Sequence, residues 1–245
     1  MIEARGIGWH VGGAHILDDI SLTVGAGELL GIIGPNGAGK SSLVNILSGV
    51  RRPSKGSITL DGRDVTRLGA TARSRRGLSR SFQTSALFDG LTAAENVRLA
   101  VQGTMPGRLS LARPASGSAP AERLEGLLER VRMPGRASVL ARDLSHGDRR
   151  KLELAMALAS EPSVLLLDEP MAGVSAEDVD GLTAIIGEVR DAGVAVLMVE
   201  HHMHVVLGLA DRVAVIHHGR LLACGSASDV TSDAEVQRAY LGEAL

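Results

Sequence analysis

The residues of this 245-residue chain with the clearest chemical potential begin at Gly34-Pro35-Asn36-Gly37-Ala38-Gly39-Lys40-Ser41-Ser42. The run fits G-x-x-x-x-G-K-[ST], a loop that cradles phosphate. Its glycines let successive backbone N–H groups curl into one concavity. Lys40 can reach the β- and γ-phosphates of a nucleotide, and the Ser41 hydroxyl can ligate Mg²⁺. A second set lies at Asp168-Glu169. Asp168 suits Mg²⁺ ligation, often through water, and Glu169 is available as a base for an attacking water. A third, Leu144-Ser145-His146-Gly147-Asp148, precedes an amphipathic run. It places a hydroxyl and free N–H groups at the positive end of a helix, a second phosphate-binding end. His201, in Glu200-His201-His202, follows an apolar run. With no cysteine beside it, a place facing the same phosphate suits it better than a metal site.

These groups need elements to hold them. Leu29-Leu30-Gly31-Ile32-Ile33 reads as a buried parallel strand. Leu43, Val44, Ile46 and Leu47 recur at helical spacing, with Gly49 as the stop. Val164–Leu167 predicts a central parallel strand ending at Asp168, and Gly193–Val199 a further buried one. On this reading Glu169, one residue past Asp168, points to the other side of the strand. Residues 16–24 and Ser57–Leu60 alternate as half-buried antiparallel strands, the latter turning at Asp61-Gly62. Thr92 and Glu95 predict a capping box, and helices are expected over about 121–131 and from Arg149 to Ser160. Ser232 with Glu235 predicts the cap of a last helix. His217-His218-Gly219 reads as a hairpin tip. Residues 102–120, rich in Gly, Ser and Pro, read as a mobile surface loop. Arg73, Arg75, Arg76 and Arg80 read as a solvated basic helix face.

Composition narrows the function. The net charge of -2 and 2% aromatic content argue against a nucleic-acid partner. Cys224 is the only cysteine, which excludes a disulfide framework. No apolar run approaches a membrane span and the first residues lack a signal core, so a cytosolic chain is expected, with any membrane role supplied by a partner.

Phosphate loop, Gln83, Leu144-Ser145-x-Gly147, Leu-Leu-Leu-Asp168-Glu169-Pro and His201, in this order, resemble the ATP-binding subunits of ABC transporters across almost the whole chain. Arg80-Ser-Phe-Gln-Thr, Arg149-Arg-Lys-Leu-Glu153, Pro170-Met-Ala-Gly-Val174 and Arg238-Ala-Tyr-Leu-Gly-Glu243 resemble the branched-chain amino acid uptake ATPases. The resemblance implies an α/β P-loop NTPase (RecA-like) core over 1–83 and 162–245, an antiparallel β subdomain, and an inserted α-helical subdomain over about 84–161. It implies ATP and Mg²⁺ as cofactors and a head-to-tail pairing with a second nucleotide-binding subunit, homo- or heterodimeric. Ser145, His146, Gly147 and Asp148 then act on the other subunit's ATP. Gln83 senses Mg²⁺ and the attacking water, Glu169 is the general base, and His201 contacts the γ-phosphate. The further implied partners are permease subunits and a periplasmic solute-binding protein, with the chain peripheral at the cytoplasmic face of the membrane. The family's adenine-stacking aromatic aligns with Val11, so adenine stacking is expected to be weak. Trp9 and His10 fall on the opposite face by strand alternation. The family's D-loop falls at Val174–Glu177. Rival readings are an ATP-switched regulatory dimer outside transport and an exporter ATPase for lipid or lipopolysaccharide.

Overall fold

The structure is a computed structural model that describes residues 1–81, 87–104 and 118–241. In chain order the strands and helices are β1 (Ile2–Val11), β2 (Ala14–Val24), β3 (Leu29–Ile33), α1 (Lys40–Leu47), β4 (Lys55–Leu60), β5 (Arg63–Asp64), α2 (Ala70–Ser74) and β6 (Leu78–Arg80). Then come α3 (Ala93–Thr104), α4 (Ser118–Arg130), α5 (His146–Leu158), β7 (Val164–Asp168), α6 (Ala176–Asp191) and β8 (Ala195–Val199). The chain closes with α7 (Met203–Leu209), β9 (Arg212–His217), β10 (Arg220–Gly225), α8 (Ala227–Ser232) and α9 (Ala234–Leu241).

Two sheets follow from two patterns of apolar residues. The continuous apolar runs of β3, β7 and β8 are buried at every position, as strands covered on both faces must be. They lie in a six-stranded sheet of order β10-β9-β3-β8-β7-β6, parallel except for the β9–β10 hairpin. The alternating segments form an antiparallel sheet of order β2-β1-β4-β5. One apolar cluster joins that small sheet and α1 to one set of strand side chains, Ile32, Leu166 and Leu197 among them. Another joins α3, α4, α5 and α6 to the alternate set, including Leu165, Leu167, Val196 and Met198. The parallel strands all end at one edge, where ligands gather in open α/β sheets.

Several expectations change. Arg73 and Arg80 do not belong to a solvated face. Arg73 is wholly buried and donates to the carbonyls of Ile46 (2.7 Å), Leu47 (2.7 Å), Leu68 (3.0 Å) and Thr66 (3.1 Å). It thus binds the carboxyl end of α1, where a cation meets the negative end of the dipole. Burial lowers its pKa to about 10, against the pull of Asp64. Only Arg75 and Arg76 of the four are exposed. The last helix is capped by Asp233, whose Oδ1 accepts from Glu235 N (2.7 Å) and Val236 N (3.1 Å), while Ser232 donates back to Asp229 within α8. α4 opens at Ser118 and α3 runs to Thr104, so the surface-loop expectation holds at neither end; 105–117 lie outside the described residues. α5 starts at His146 and ends at Leu158, short of the Ser160 expected for it. The Thr92–Glu95 capping box is present: Glu95 N donates to Thr92 Oγ1 at 3.2 Å and Thr92 N to Glu95 Oε2 at 2.8 Å. No helix among the described residues is long and apolar enough to cross a membrane.

Candidate functional site

The glycine loop joins β3 to α1 at the carboxyl edge of the parallel sheet. Gly34, Gly37 and Gly39 all have positive φ. Gly34 also packs so closely on β9 that a Cβ there would overlap the Ile216 carbonyl oxygen. Gly39 stands at the N-cap of α1 and offers no side-chain acceptor, so the first N–H groups of the helix stay available to a ligand. Lys40 is 5% exposed, and its Nζ donates to Gly34 O (2.6 Å) and Pro35 O (2.8 Å). Burial lowers its pKa; Glu169 and Asp168 oppose that shift. A cavity of about 180 Å³ is lined by Ile16, by Asn36–Ser42, and by Glu169 and His201. Residues from the glycine loop, the end of β7 and the end of β8 therefore meet in one place. The tip of the β9–β10 hairpin supports the loop from outside: Gly219 N donates to Ala38 O at 2.9 Å.

Asp168 and Glu169 part company at the end of β7. Asp168 is 1% exposed, and burial raises its pKa against the opposing charge of Arg80. Its Oδ2 accepts from Arg80 Nη2 at 2.9 Å, while its buried Oδ1 has no hydrogen-bond partner among the described residues. Arg80 Nη1 donates to Asn45 Oδ1 (2.7 Å) and Ser48 Oγ (3.0 Å), which ties β6 and β7 to α1. Glu169 leaves the strand with φ 52°, a left-handed backbone that a non-glycine residue rarely adopts. This turn, rather than simple strand alternation, aims its side chain into the cavity. There Glu169 Oε1 lies 2.9 Å from His201 Nε2. Gln83 lies outside the described residues.

Ser145 caps α5, its Oγ accepting from Asp148 N at 3.1 Å. An accepting hydroxyl keeps its own proton to donate. None of residues 145–148 lines the cavity beside the glycine loop. His146 instead borders a separate hollow with Arg142, Arg149 and Arg150.

A family model for the ABC transporter matches residues 17–172, well over half of the chain. The chain belongs to the ABC transporter family. As an ATP-binding subunit of that family it is an ATP hydrolase. A second model, for the branched-chain amino acid ATP-binding cassette transporter, matches residues 220–245. Among similar proteins is the high-affinity branched-chain amino acid transport ATP-binding protein LivG of Salmonella typhimurium, 36% identical over 100% of this chain and 98% of its own. Another is the lipopolysaccharide export system ATP-binding protein LptB of Escherichia coli, 33% identical over 94% of this chain and 92% of its own. Among solved structures, the ADP conformation of an ATP-binding cassette of an ABC transporter superposes with TM-score 0.87, at 27% identity, covering 99% of each chain.

Within this ABC ATPase, two features were not legible beforehand. In the ladder Trp9 pairs with Leu17 and His10 with His15, so Ile16 is the extra residue of a β-bulge. Bulges re-aim side chains beside sites, and Ile16 lines the cavity beside the glycine loop. Trp9 packs against the apolar core, His10 faces His15 across the strands with ring centres 5.7 Å apart, and Val11 is 54% exposed. The second feature is at Gly147. A Cβ there would come 2.5 Å from Asp178 Oδ2, so the glycine allows α5 and α6 to approach closely within one protomer.

Proposed function

We propose that this ABC ATPase powers uptake of branched-chain amino acids, or a related small solute, through a partner permease. One observation supports the ATP hydrolysis that drives it above the others: Lys40, Ser41, Glu169 and His201 converge on one cavity, with Glu169 and His201 in contact at 2.9 Å. ATP fits there with its phosphates in the glycine loop. Lys40 moves from its two carbonyls to the β- and γ-phosphates, and the N–H groups of α1 complete the cradle. Glu169 accepts the proton of a water attacking the γ-phosphorus in line, and His201 contacts the γ-phosphate and orients Glu169. The buried Oδ1 of Asp168, without a partner among the described residues, and the Ser41 hydroxyl fit Mg²⁺, with Gln83 as a further ligand. When bound, Mg²⁺ neutralises charge on the phosphate oxygens. Ser145, His146, Gly147 and Asp148 meet the ATP of a second nucleotide-binding subunit in a head-to-tail pair. Their separation from the chain's own cavity supports this, as one γ-phosphate seldom needs two helix ends.

The match of residues 220–245 supports amino-acid uptake, with a periplasmic solute-binding protein as a further partner and the chain peripheral on the cytoplasmic face. Lipopolysaccharide export is the second reading, from the likeness to LptB. Uptake of labelled leucine by vesicles carrying the ATPase with its permease decides between them. Release of lipopolysaccharide without leucine uptake selects the second.

Permease docking is assigned to the segment beginning at Gln83. Among its described residues Phe88 is 54% exposed, whereas Leu87 packs on the core. Asn96, wholly buried, shapes this loop. Its side chain bonds Phe88 N (2.9 Å), Phe88 O (3.2 Å) and Thr92 O (3.0 Å). Phe88→Ala with Leu91→Ser is expected to keep ATP binding, lose co-purification with the permease and lose solute uptake. A variant that transports with its permease still bound moves the docking site elsewhere.

Val11→Tyr is expected to tighten adenine nucleotide binding by roughly 0.5–1.5 kcal/mol, the scale of an aromatic stack. Titration of ATP and GTP against both proteins checks it. An unmodified protein already strongly selective for ATP, with no gain in the variant, assigns the base to another side chain.

A further inference from the structure

Glu200 is a carboxylate that the hydrolysis scheme above does not use, yet it is 2% exposed. Burying an anion is costly unless donors surround it. Its ion-pair neighbour among the described residues is a histidine, His202, with no lysine or arginine in place. The donors come from two separate chain segments. Oε1 accepts Met171 N–H at 2.7 Å. Oε2 accepts His201 N–H at 3.0 Å and His202 N–H at 3.4 Å, and lies 3.0 Å from His202 Nδ1. Met171 stands two residues beyond Glu169, inside a turn closed by Ala172 N donating to Glu169 O at 3.1 Å. One side chain therefore splices the turn that bears Glu169 to the segment that bears His201, the two residues in contact at 2.9 Å.

We propose that Glu200 is a positioning residue for hydrolysis, holding Glu169 and His201 in register. The inference rests on the roles given above to those two residues. Both oxygens must accept at once, one for each segment. The isosteric amide of Glu200→Gln has one accepting oxygen, so its NH₂ must face an N–H of one turn or the other. Donor meets donor, and that turn moves away from its neighbour. Misplacing a reacting group by about an ångström can cost on the order of a hundredfold in rate. The cost is expected on kcat, because the printed partners of the Glu200 side chain are Met171, His201 and His202, none of them in the glycine loop, and Glu200 does not line the cavity beside that loop.

The experiment is a double-mutant cycle of Glu200→Gln with His201→Ala, read as single-turnover ATP hydrolysis and as binding of a fluorescent ATP analogue. Glu200→Gln is expected to lower kcat on the order of 10- to 100-fold with nucleotide affinity held, since geometry rather than binding is lost. Combined with His201→Ala it is expected to add little, because the pair it aligns is already broken. The same factor in both backgrounds overturns the inference, since it describes a residue acting on its own. A slow His201→Ala beside a wild-type rate for Glu200→Gln also overturns it, and leaves the scheme intact. His201→Ala at the wild-type rate overturns both. Where melting reveals that Glu200→Gln does not fold, Glu200→Asp is put through the same cycle. It keeps two accepting oxygens on a shorter arm, with a smaller loss and the same non-additivity expected.

Discussion

Glu169→Gln is expected to bind ATP like the unmodified protein and to turn it over about 10²–10⁴-fold more slowly, the usual share of a positioned general base. The structure isolates the change to one property. The amide keeps the length and shape of the carboxylate, its left-handed backbone at φ 52° is untouched, and it can still hydrogen-bond His201 Nε2. It loses only the capacity to take up the water's proton. A left-handed non-glycine residue costs of order 1–3 kcal/mol and persists where surrounding contacts enforce it. Here Glu169 N donates to Val199 O at 2.9 Å, which fixes the turn from β8. Phosphate release under saturating ATP measures the effect. A near-wild-type rate removes Glu169 from the base role.

Ser145→Arg is expected to leave ATP binding to the single protomer intact and to lower turnover at least about 10²-fold, as for loss of a preorganised donor at the developing charge. Ser145 is absent from the lining of the chain's own cavity, so a long cation there does not obstruct the glycine loop. In the proposed head-to-tail pair it is expected to obstruct the close approach of a second subunit's phosphates to the end of α5. The N-cap bond from Asp148 N is lost as well, which costs about 1 kcal/mol of helix stability, a small loss beside the rate effect. Equilibrium binding of ATP together with turnover separates the two arms. Loss of ATP binding in a protein that still dimerises contradicts the shared-site arrangement.

Much of this site could be read from the chain because its signals are local. The glycine loop, the apolar run of β7 and the Ser145 helix start each declare themselves within about ten residues, and the structure supplies strand, loop and helix where each was expected. What could not be read depends on contacts distant in sequence. Arg73 looks like one arginine of a surface cluster until α1 brings the carbonyls of Ile46 and Leu47 to it. Arg80 looks the same until β6 pairs with β7 and sets it beside Asp168. Ile16 enters the cavity through a bulge, and alternation along β2 gives no sign of an extra residue. Glu169 was expected to point away from Asp168 by strand alternation, and it does part from Asp168, but a positive φ, which alternation does not foretell, carries it into the cavity. Glu200 sits beside a noticeable pair of histidines, and nothing in its neighbours signals that Met171, nearly thirty residues earlier, donates to it. Ser232 and Asp233 are adjacent and of similar capping ability, and the hydrogen bonds from Glu235 N and Val236 N go to Asp233.

In the proposed pair, the cavity around Lys40, Glu169 and His201 is completed by the Ser145 end of a second nucleotide-binding subunit. The most direct measurement is the mass in solution of the Glu169→Gln protein, together with any partner ATPase it pairs with, by sedimentation at saturating ATP and Mg²⁺. The expected result is a dimer that forms with ATP, dissociates with ADP, and fails to form when Ser145→Arg is added. A monomer at saturating ATP, or a dimer indifferent to Ser145→Arg, would contradict it.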